Sequence, residues 1–216
     1  MGGFMVKDKS LFWLAAMYII QTITWSILGV SDPLQMVATF MALTCVFLIA
    51  KGNKWNFVLG FFSSFVFMLS AWNNGIKGEA LVQLGYIVFD VFGIYMWYRF
   101  GKEYDAEDKT SALPAKEVVA AIVGAVIIFV VLLSTVSNSW VDATAGAAGL
   151  LAMYFTARKY KYAFVAWVGA NVFQVAVWMS LHHGDGFATG VMYFVFLANS
   201  LYGLYLWVFK KEQVID

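Results

Sequence analysis

Apolar runs about as long as a membrane is thick alternate with short polar segments along the whole chain. We place these runs at about 11–30, 33–50, 55–73, 79–98, 116–136, 140–157, 162–181 and 187–209. A hydrocarbon core about 30 Å thick needs about 20 apolar residues in a helix. Backbone polar groups in lipid must be satisfied within the segment, which favours helices for runs of this length. The pattern therefore predicts a bundle of up to eight membrane-spanning helices.

The first run, residues 11–30, is ambiguous. Gln21 and Ser26 make it less apolar, so it could cross the membrane or lie in its interface. A cleaved signal peptide is an alternative, but the run is long for one and no convincing small-residue cleavage site is present. Asp32 and Pro33 then supply a capping side chain and a first-turn proline, which predicts that the next helix begins there.

The composition indicates that lipid surrounds the protein. Hydrophobic residues make up 62% of the chain and charged residues 12%, whereas soluble domains average about 45–50% and about 25%. A net charge of +1 gives no electrostatic reason to expect a nucleic-acid partner. The single cysteine, Cys45, can form neither an intramolecular disulfide nor a cysteine-rich metal site, so we interpret it as a buried hydrophobe. We expect no cofactor and no bound metal.

The basic residues collect on one side of the predicted bundle. Eleven Lys and Arg residues fall in the segments 51–54, 99–116, 158–161 and 210–211, and the other side has only Lys77. Basic loops stay in the cytoplasm. We therefore predict a multi-pass protein of the plasma (inner) membrane with a cytoplasmic C-terminus. His182 and His183 would lie in an outer loop as solvated residues.

The two halves of the chain resemble each other at an offset of 110 residues. The sequence FGIYMW at 92–97 lies over YGLYLW at 202–207, and this offset also places Lys51 over Lys161. Each half has three apolar runs, and the run 116–136 between them would be a connector that gives both halves the same orientation. Parallel repeats of this kind are a known transporter plan, with the substrate site between the repeats near the membrane midplane.

These patterns predict an all-α integral membrane fold. It is a bundle of two parallel three-helix repeats joined by a connector helix, a 3+1+3 arrangement, with an extra N-terminal helix. The predicted segments are 1–30 for the N-terminal helix, 31–100 for the first repeat, 101–137 for a cytoplasmic loop and the connector, 138–209 for the second repeat and 210–216 for a cytoplasmic tail.

A few polar side chains fall at membrane depth, where an ionised group costs roughly 2.5–3.5 kcal/mol. Asp90 is the one charged residue among them, and Gln83 and Tyr86 precede it on the same helical face. The other candidates are Ser63, Trp167, Asn171, Gln174, Asn199 and Tyr202. Together they would line a cavity whose rings stack on a flat heterocycle and whose amides bind a sugar or a base edge. The alternative is that the polar groups bond helix to helix.

Two stretches carry a family resemblance. They are QLGYIVFDVFGIYMW at 83–97 and FVAWVGAN at 164–171. Both resemble the PnuC family of vitamin and nucleoside transporters, which is similar in fold to the SWEET sugar transporters. The resemblance covers about residues 31–209, including the connector helix.

The resemblance implies import of a nucleoside-like vitamin, with nicotinamide riboside as the best single guess. It also implies facilitated diffusion with a cytoplasmic kinase as a functional partner that traps the product. The ligand-binding positions that it implies are Gln83, Asp90, Trp167 and Asn171. Phe164, the tenth candidate for the site, replaces a tryptophan of the family pattern, and Ser63 stands where nicotinamide riboside transporters often have asparagine. Thiamine, riboflavin or a deoxynucleoside therefore stays open as the substrate.

Other classes of membrane protein fit the sequence less well. An enzyme would need a metal-binding cluster or a nucleophile beside a histidine within the membrane, and the sequence has neither. A retinal photoreceptor would need a lysine deep in the run 187–209. A channel or a proton-coupled carrier that uses Asp90 stays open, as do a structural scaffold and a homo-oligomer.

Overall fold

The computed structural model describes residues 10–29, 32–73, 77–99, 113–137, 139–180 and 184–209. These residues form eight α-helices, and the last continues into a π-helical turn. The helices are α1 (Ser10–Leu28), α2 (Pro33–Ala50), α3 (Trp55–Asn73), α4 (Lys77–Arg99), α5 (Ala115–Thr135), α6 (Trp140–Ala157), α7 (Ala163–Met179) and α8 (Gly184–Leu204), with the π turn at Tyr205–Phe209. A helix therefore lies at each of the eight predicted apolar runs. The predicted loop at 101–111, the histidine pair 182–183 and the tail 210–216 lie outside the described residues.

Polar side chains cap the first helix of each half. Asp32 is the N-cap of α2, and its Oδ1 accepts the Leu34 amide at 2.9 Å, as predicted. Ser139 is the N-cap of α6, and its Oγ accepts the Asp142 amide at 3.2 Å. Each cap satisfies a backbone N–H that has no partner within its helix.

Six of the described helices form a closed ring. Each packs on the next in the order α2, α3, α4, α6, α7 and α8, and α8 packs back on α2. The other two helices lie outside the ring, where α1 packs on α8 and α2, and α5 packs on α6. The fold is therefore an all-helical bundle that surrounds its own centre.

Polar contacts attach both outer helices. Gln21 of α1 donates from Nε2 to the carbonyl of Ala188 in α8 at 3.2 Å. Glu117, in the first turn of α5, accepts from Arg158 Nε at 2.5 Å and from the Tyr154 hydroxyl at 2.7 Å. Each outer helix is thus fixed to a helix of the second half or to the turn that follows it.

Six of the described helices, α1 to α5 and α8, are long and apolar enough to cross a membrane. Helix α7 is apolar but has only 17 residues. Helix α6 is rich in alanine and glycine, and eleven of its 18 residues are buried against other helices, so it needs less hydrophobic surface. Helix α5 is the opposite case, because only 6% of its most apolar stretch is buried. Its side chains suit contact with lipid.

Two tryptophans connect the halves in the same way. Trp97, near the end of α4, donates from Nε1 to the carbonyl of Ala157, the last residue of α6, at 3.0 Å. Trp207, in the π turn after α8, donates to the carbonyl of Ala50, the last residue of α2, at 3.1 Å. The last four carbonyls of a helix lack partners within it, so each indole satisfies one carbonyl and joins the two halves.

A phenylalanine and a glycine support each of these tryptophans. The Phe57 ring meets Trp97 edge-on at 5.0 Å, and the Phe164 ring meets Trp207 at 5.1 Å. A Cβ atom on Gly93 would lie 2.2 Å from the Phe57 ring. A Cβ atom on Gly203 would lie equally close to the Phe164 ring. The absence of a side chain at these glycines lets the rings pack on the helix backbone.

The repeat does not keep one offset. The turns after α2 and α6 have their left-handed residues at Gly52 (φ 65°) and Lys159 (φ 50°), which are 107 positions apart. The predicted offset of 110, which placed Lys51 over Lys161, is therefore wrong for the first two helices of each half. The offset of 110 holds for the last helix of each half. Helix α8 and its π turn have 21 and five residues, whereas α4 has 23, and these three extra residues raise the offset from 107 to 110.

Gly203→Ala tests the close packing beneath Phe164. The added methyl group would have to displace the buried ring, and overpacking of this kind costs about 1–3 kcal/mol. We expect a lower melting temperature for the purified protein in detergent. Gly124→Ala in α5 is the control, because a Cβ atom there meets nothing within 4 Å. Equal melting temperatures for the two variants would contradict the packing described here.

Candidate binding cavity

A cavity lies inside the ring of six helices. Its volume, measured as space open to the centres of water-sized molecules, is about 90 Å³. One water needs roughly 10–15 Å³ on this measure, so the cavity has room for a larger solute group. The structure brings nine of the ten predicted site residues to its wall. They are Ser63, Gln83, Tyr86, Asp90, Phe164, Trp167, Asn171, Gln174 and Asn199.

Tyr202 is the one predicted site residue outside the cavity wall. It packs instead against an apolar cluster that includes Phe164 and Trp207. Phe164 lies on Gly203, the next residue along α8, and it forms the wall at this level. Tyr202 was predicted to line the cavity because it shares a helix face with Asn199. Sharing a face does not determine which neighbouring side chains pack on each residue, so this prediction failed.

The sequence analysis missed Met192 and three further wall residues of α8 that follow the internal repeat, Tyr193, Phe196 and Ser200. These three have the same spacing as Gln83, Tyr86 and Asp90 in α4, and each lies 110 positions further along the chain. The repeat offset could have identified them, since equivalent helices turn equivalent faces to the centre. The two halves therefore present equivalent positions but different chemistry to the cavity.

Asp90 is the most exceptional residue of the wall. It is 1% exposed, and neither carboxylate oxygen has a hydrogen-bond partner among the described residues. Gly60 makes room for it, because a Cβ atom there would lie 2.6 Å from Asp90 Oδ1. A buried carboxylate without a partner is costly, so such groups call for an explanation such as a bound ion or water. The carboxylate of Asp90 faces a cavity that is large enough to hold such an ion or water.

Asn199 is bonded at both ends of its amide. Its Oδ1 accepts from Trp13 Nε1 of α1 at 3.1 Å, and its Nδ2 donates to the carbonyl of Val46 in α2 at 2.7 Å. The residue thus joins three helices at the cavity wall. This geometry favours the helix-to-helix interpretation for Asn199 over ligand binding.

The aromatic side of the wall is held by specific contacts. Trp167 donates from Nε1 to Thr156 Oγ1 at 2.9 Å, and its ring lies 6.3 Å from that of Tyr86. Asn171 donates from Nδ2 to Ser200 Oγ at 3.0 Å, which leaves its carbonyl oxygen without a partner among the described residues. The indole is oriented by its own hydrogen bond, so its ring face stays available for a flat ligand.

Two hydrogen-bond acceptors of the wall are left for a ligand. The carboxylate of Asp90 and the amide oxygen of Asn171 have no partner among the described residues. Together with the rings of Tyr86 and Trp167, these groups suit a flat solute that carries positive charge or several donors. Within the described ranges, no three His, Cys, Asp or Glu residues group closely enough to bind a metal ion.

Comparisons with known proteins agree with this architecture. Residues 32–209 match the family model described as nicotinamide mononucleotide transporter. The chain is 26% identical over 211 residues to the nicotinamide riboside transporter PnuC of Haemophilus influenzae, covering 93% of this chain and 90% of that protein. It is 23% identical over 208 residues to the transporter of the same name from Neisseria mucosa, covering 90% and 79%.

A solved structure is similar across nearly the whole chain. It is a crystal structure of the vitamin B3 transporter PnuC, with a TM-score of 0.75 and 19% sequence identity. The match covers 99% of this chain and 95% of that one. At this level of identity the likeness shows the fold.

A double-mutant cycle tests the contact between Gly60 and Asp90. Gly60→Ala alone places a methyl group against the carboxylate, and we expect it to lower the melting temperature. In an Asp90→Ala background the carboxylate is gone, so the same change should cost much less. Neighbouring residues of this kind couple by about 0.5–3 kcal/mol. Additive effects on the unfolding of purified protein would contradict the contact.

Proposed function

Because this chain belongs to the family of nicotinamide mononucleotide transporters, we propose that it imports a nucleoside-like vitamin, with nicotinamide riboside as the best candidate. The predicted family is confirmed, and it is a family of transporters and not of enzymes. Both curated relatives carry the name nicotinamide riboside transporter, which supports this substrate. The observation that carries the proposal is the unpartnered carboxylate of Asp90 beside the cavity.

The chemistry of nicotinamide riboside complements the wall. The vitamin has a flat pyridinium ring with a positive charge, a carboxamide and a ribose with hydroxyl groups. Trp167 and Tyr86 would stack on the ring, and Asp90 would balance its charge. Gln83 and Asn171 would bond the carboxamide or the ribose. Ser63, Gln174 and Phe164 would complete the wall around the ligand.

We propose a SWEET-like 3+1+3 arrangement for the bundle. The repeats are α2 to α4 and α6 to α8, α5 is the connector, and α1 is an additional helix. The paired bonds of Trp97 and Trp207, each from one repeat to the other, support this division. The cavity then lies at the repeat interface, and the repeats rock about it to open alternately to each side.

The basic end of the bundle faces the cytoplasm in this proposal. Lys54 and Lys159 lie in the turns after α2 and α6, and they contact the rings of Tyr98 and Trp97 at 4.7 and 4.4 Å. These turns and the end of α4 therefore share one end of the bundle. With basic loops inside, the C-terminus is cytoplasmic and the membrane is the plasma membrane.

Transport follows the substrate gradient in this proposal, and phosphorylation by a cytoplasmic kinase traps the vitamin. A proton-coupled carrier is the second candidate, because a buried carboxylate without a partner can bind a proton. A homo-oligomer is compatible with both.

Uptake into proteoliposomes separates the two candidates. We expect labelled nicotinamide riboside to equilibrate across the membrane and to exchange with unlabelled vitamin inside. An imposed pH gradient should not drive accumulation above the outside concentration, because diffusion needs no coupling ion. Vesicles without protein are the control. Accumulation that disappears with a proton ionophore would favour the proton-coupled carrier.

Asp90→Asn tests the charge-balancing role. We expect nicotinamide riboside to bind at least about tenfold more weakly, a change of about 1.4 kcal/mol, because the pyridinium charge loses its partner. The reduced dihydronicotinamide riboside is neutral and serves as the matched ligand, and its affinity should change much less. Calorimetry on purified protein gives both values. Equal weakening of the two ligands would assign Asp90 a structural role.

A further inference from the structure

Two glutamines of the cavity wall are held by side chains outside the wall. Gln83 is 5% exposed and Gln174 is 3% exposed. Each makes one side-chain hydrogen bond, to Glu79 and to Trp178 respectively, and neither partner lines the cavity. Because an amide has an accepting end and a donating end, each partner decides which end its glutamine turns to the cavity.

Glu79 sets the orientation of Gln83. It lies one helical turn earlier in α4, and its Oε1 accepts from Gln83 Nε2 at 2.7 Å. A carboxylate has acceptors only, so the amide nitrogen must face it. The bond to Glu79 occupies the amide nitrogen of Gln83, so the carbonyl oxygen is the end left for a ligand.

Trp178 sets the opposite orientation for Gln174. Its Nε1 donates to Gln174 Oε1 at 3.1 Å. An indole N–H can only donate, so the amide oxygen faces the tryptophan and the amide nitrogen is left for a ligand. The wall therefore presents an acceptor at Gln83 and a donor at Gln174.

We propose that Glu79 is a positioning residue for specificity, which fixes Gln83 as an acceptor for the carboxamide N–H₂ of the ligand. This inference rests on the proposed function. Gln83 precedes Asp90 by two turns on one face, with Tyr86 between them, so a pyridinium ring over Tyr86 can direct its carboxamide toward Gln83. A ligand with a carboxylate in place of the carboxamide has no donor for this position and is rejected.

Glu79→Gln is the decisive variant, and the probes are nicotinamide riboside and nicotinic acid riboside. The substitution keeps the size of the side chain, but the new amide can donate or accept, so Gln83 is free to turn. We expect the preference for nicotinamide riboside, measured as the ratio of the two Kd values by calorimetry, to fall about tenfold. Glu79→Ala, which removes the partner, should give the same loss of preference.

Two control variants separate orientation from other effects. Asp142→Asn removes another carboxylate at the same end of the bundle, whose Oδ2 lies 3.7 Å from the Cβ position of Gly78. Trp178→Phe removes the hydrogen-bond partner of Gln174. Both ribosides offer an acceptor to the amide nitrogen of Gln174, so turning this amide should weaken the two ligands alike. Both variants should keep the preference within about twofold, and melting temperatures should show that all the variants are folded.

The outcomes are distinct. An unchanged preference in Glu79→Gln overturns the inference, and so does equal weakening of both ligands, which would mark a structural role. An equal loss of preference in Asp142→Asn also overturns it, because charge and not orientation would then discriminate. If the wild-type protein binds neither riboside, the proposed function fails and the inference fails with it.

Discussion

The high cost of an unbonded polar group in lipid is the constraint on which this structure depends. Lipid-facing surfaces such as those of α5 are almost entirely apolar, and the polar side chains turn to the centre of the ring. There they bond one another or the backbone, as Asn199 bonds Trp13 and Val46. Asp90 supplies the one carboxylate among the described residues of the wall, and that carboxylate has no hydrogen-bond partner in the described part of the chain. Because the other polar side chains of the ring follow this constraint, the unpartnered carboxylate of Asp90 is the exception that indicates a binding site.

The internal repeat explains how a closed ring and an asymmetric site coexist. The frame is symmetric, since each half sends a tryptophan to the carbonyl at the end of the other half's first helix. The wall is not symmetric, because Gly60 in one half corresponds to Trp167 in the other at the offset of 107. The glycine makes space for a carboxylate, and the tryptophan supplies a ring. Duplication provides the interface, and divergence of a few residues provides a binding surface with two chemically different sides.

Close contacts between helices limit how this interface can move. The Tyr86 hydroxyl packs on Gly149, where a Cβ atom would lie 2.0 Å from its oxygen, and Gly85 packs on Leu150 in the same interface between α4 and α6. The other interface, between α2 and α8, is joined by the amide of Asn199 and covered by α1. Close packing on glycines holds the α4–α6 interface, and hydrogen bonds hold the α2–α8 interface. A rocking motion of the repeats would therefore disturb different interactions at the two interfaces.

The sequence by itself determined the helices, their bounds to within a few residues, the Asp32 cap and the family, because these depend on local hydropathy, local hydrogen bonds and contiguous motifs. It also placed Gln83, Tyr86 and Asp90 on one face, since helical spacing alone decides that. Only the tertiary structure excluded Tyr202 from the wall and gave Asn199 its partners in other helices. It also gave the offset of 107 for the first two helices of each repeat. These features depend on how each helix is rotated about its axis and on which distant side chains pack against it. The hydropathy pattern of the sequence contains neither kind of information.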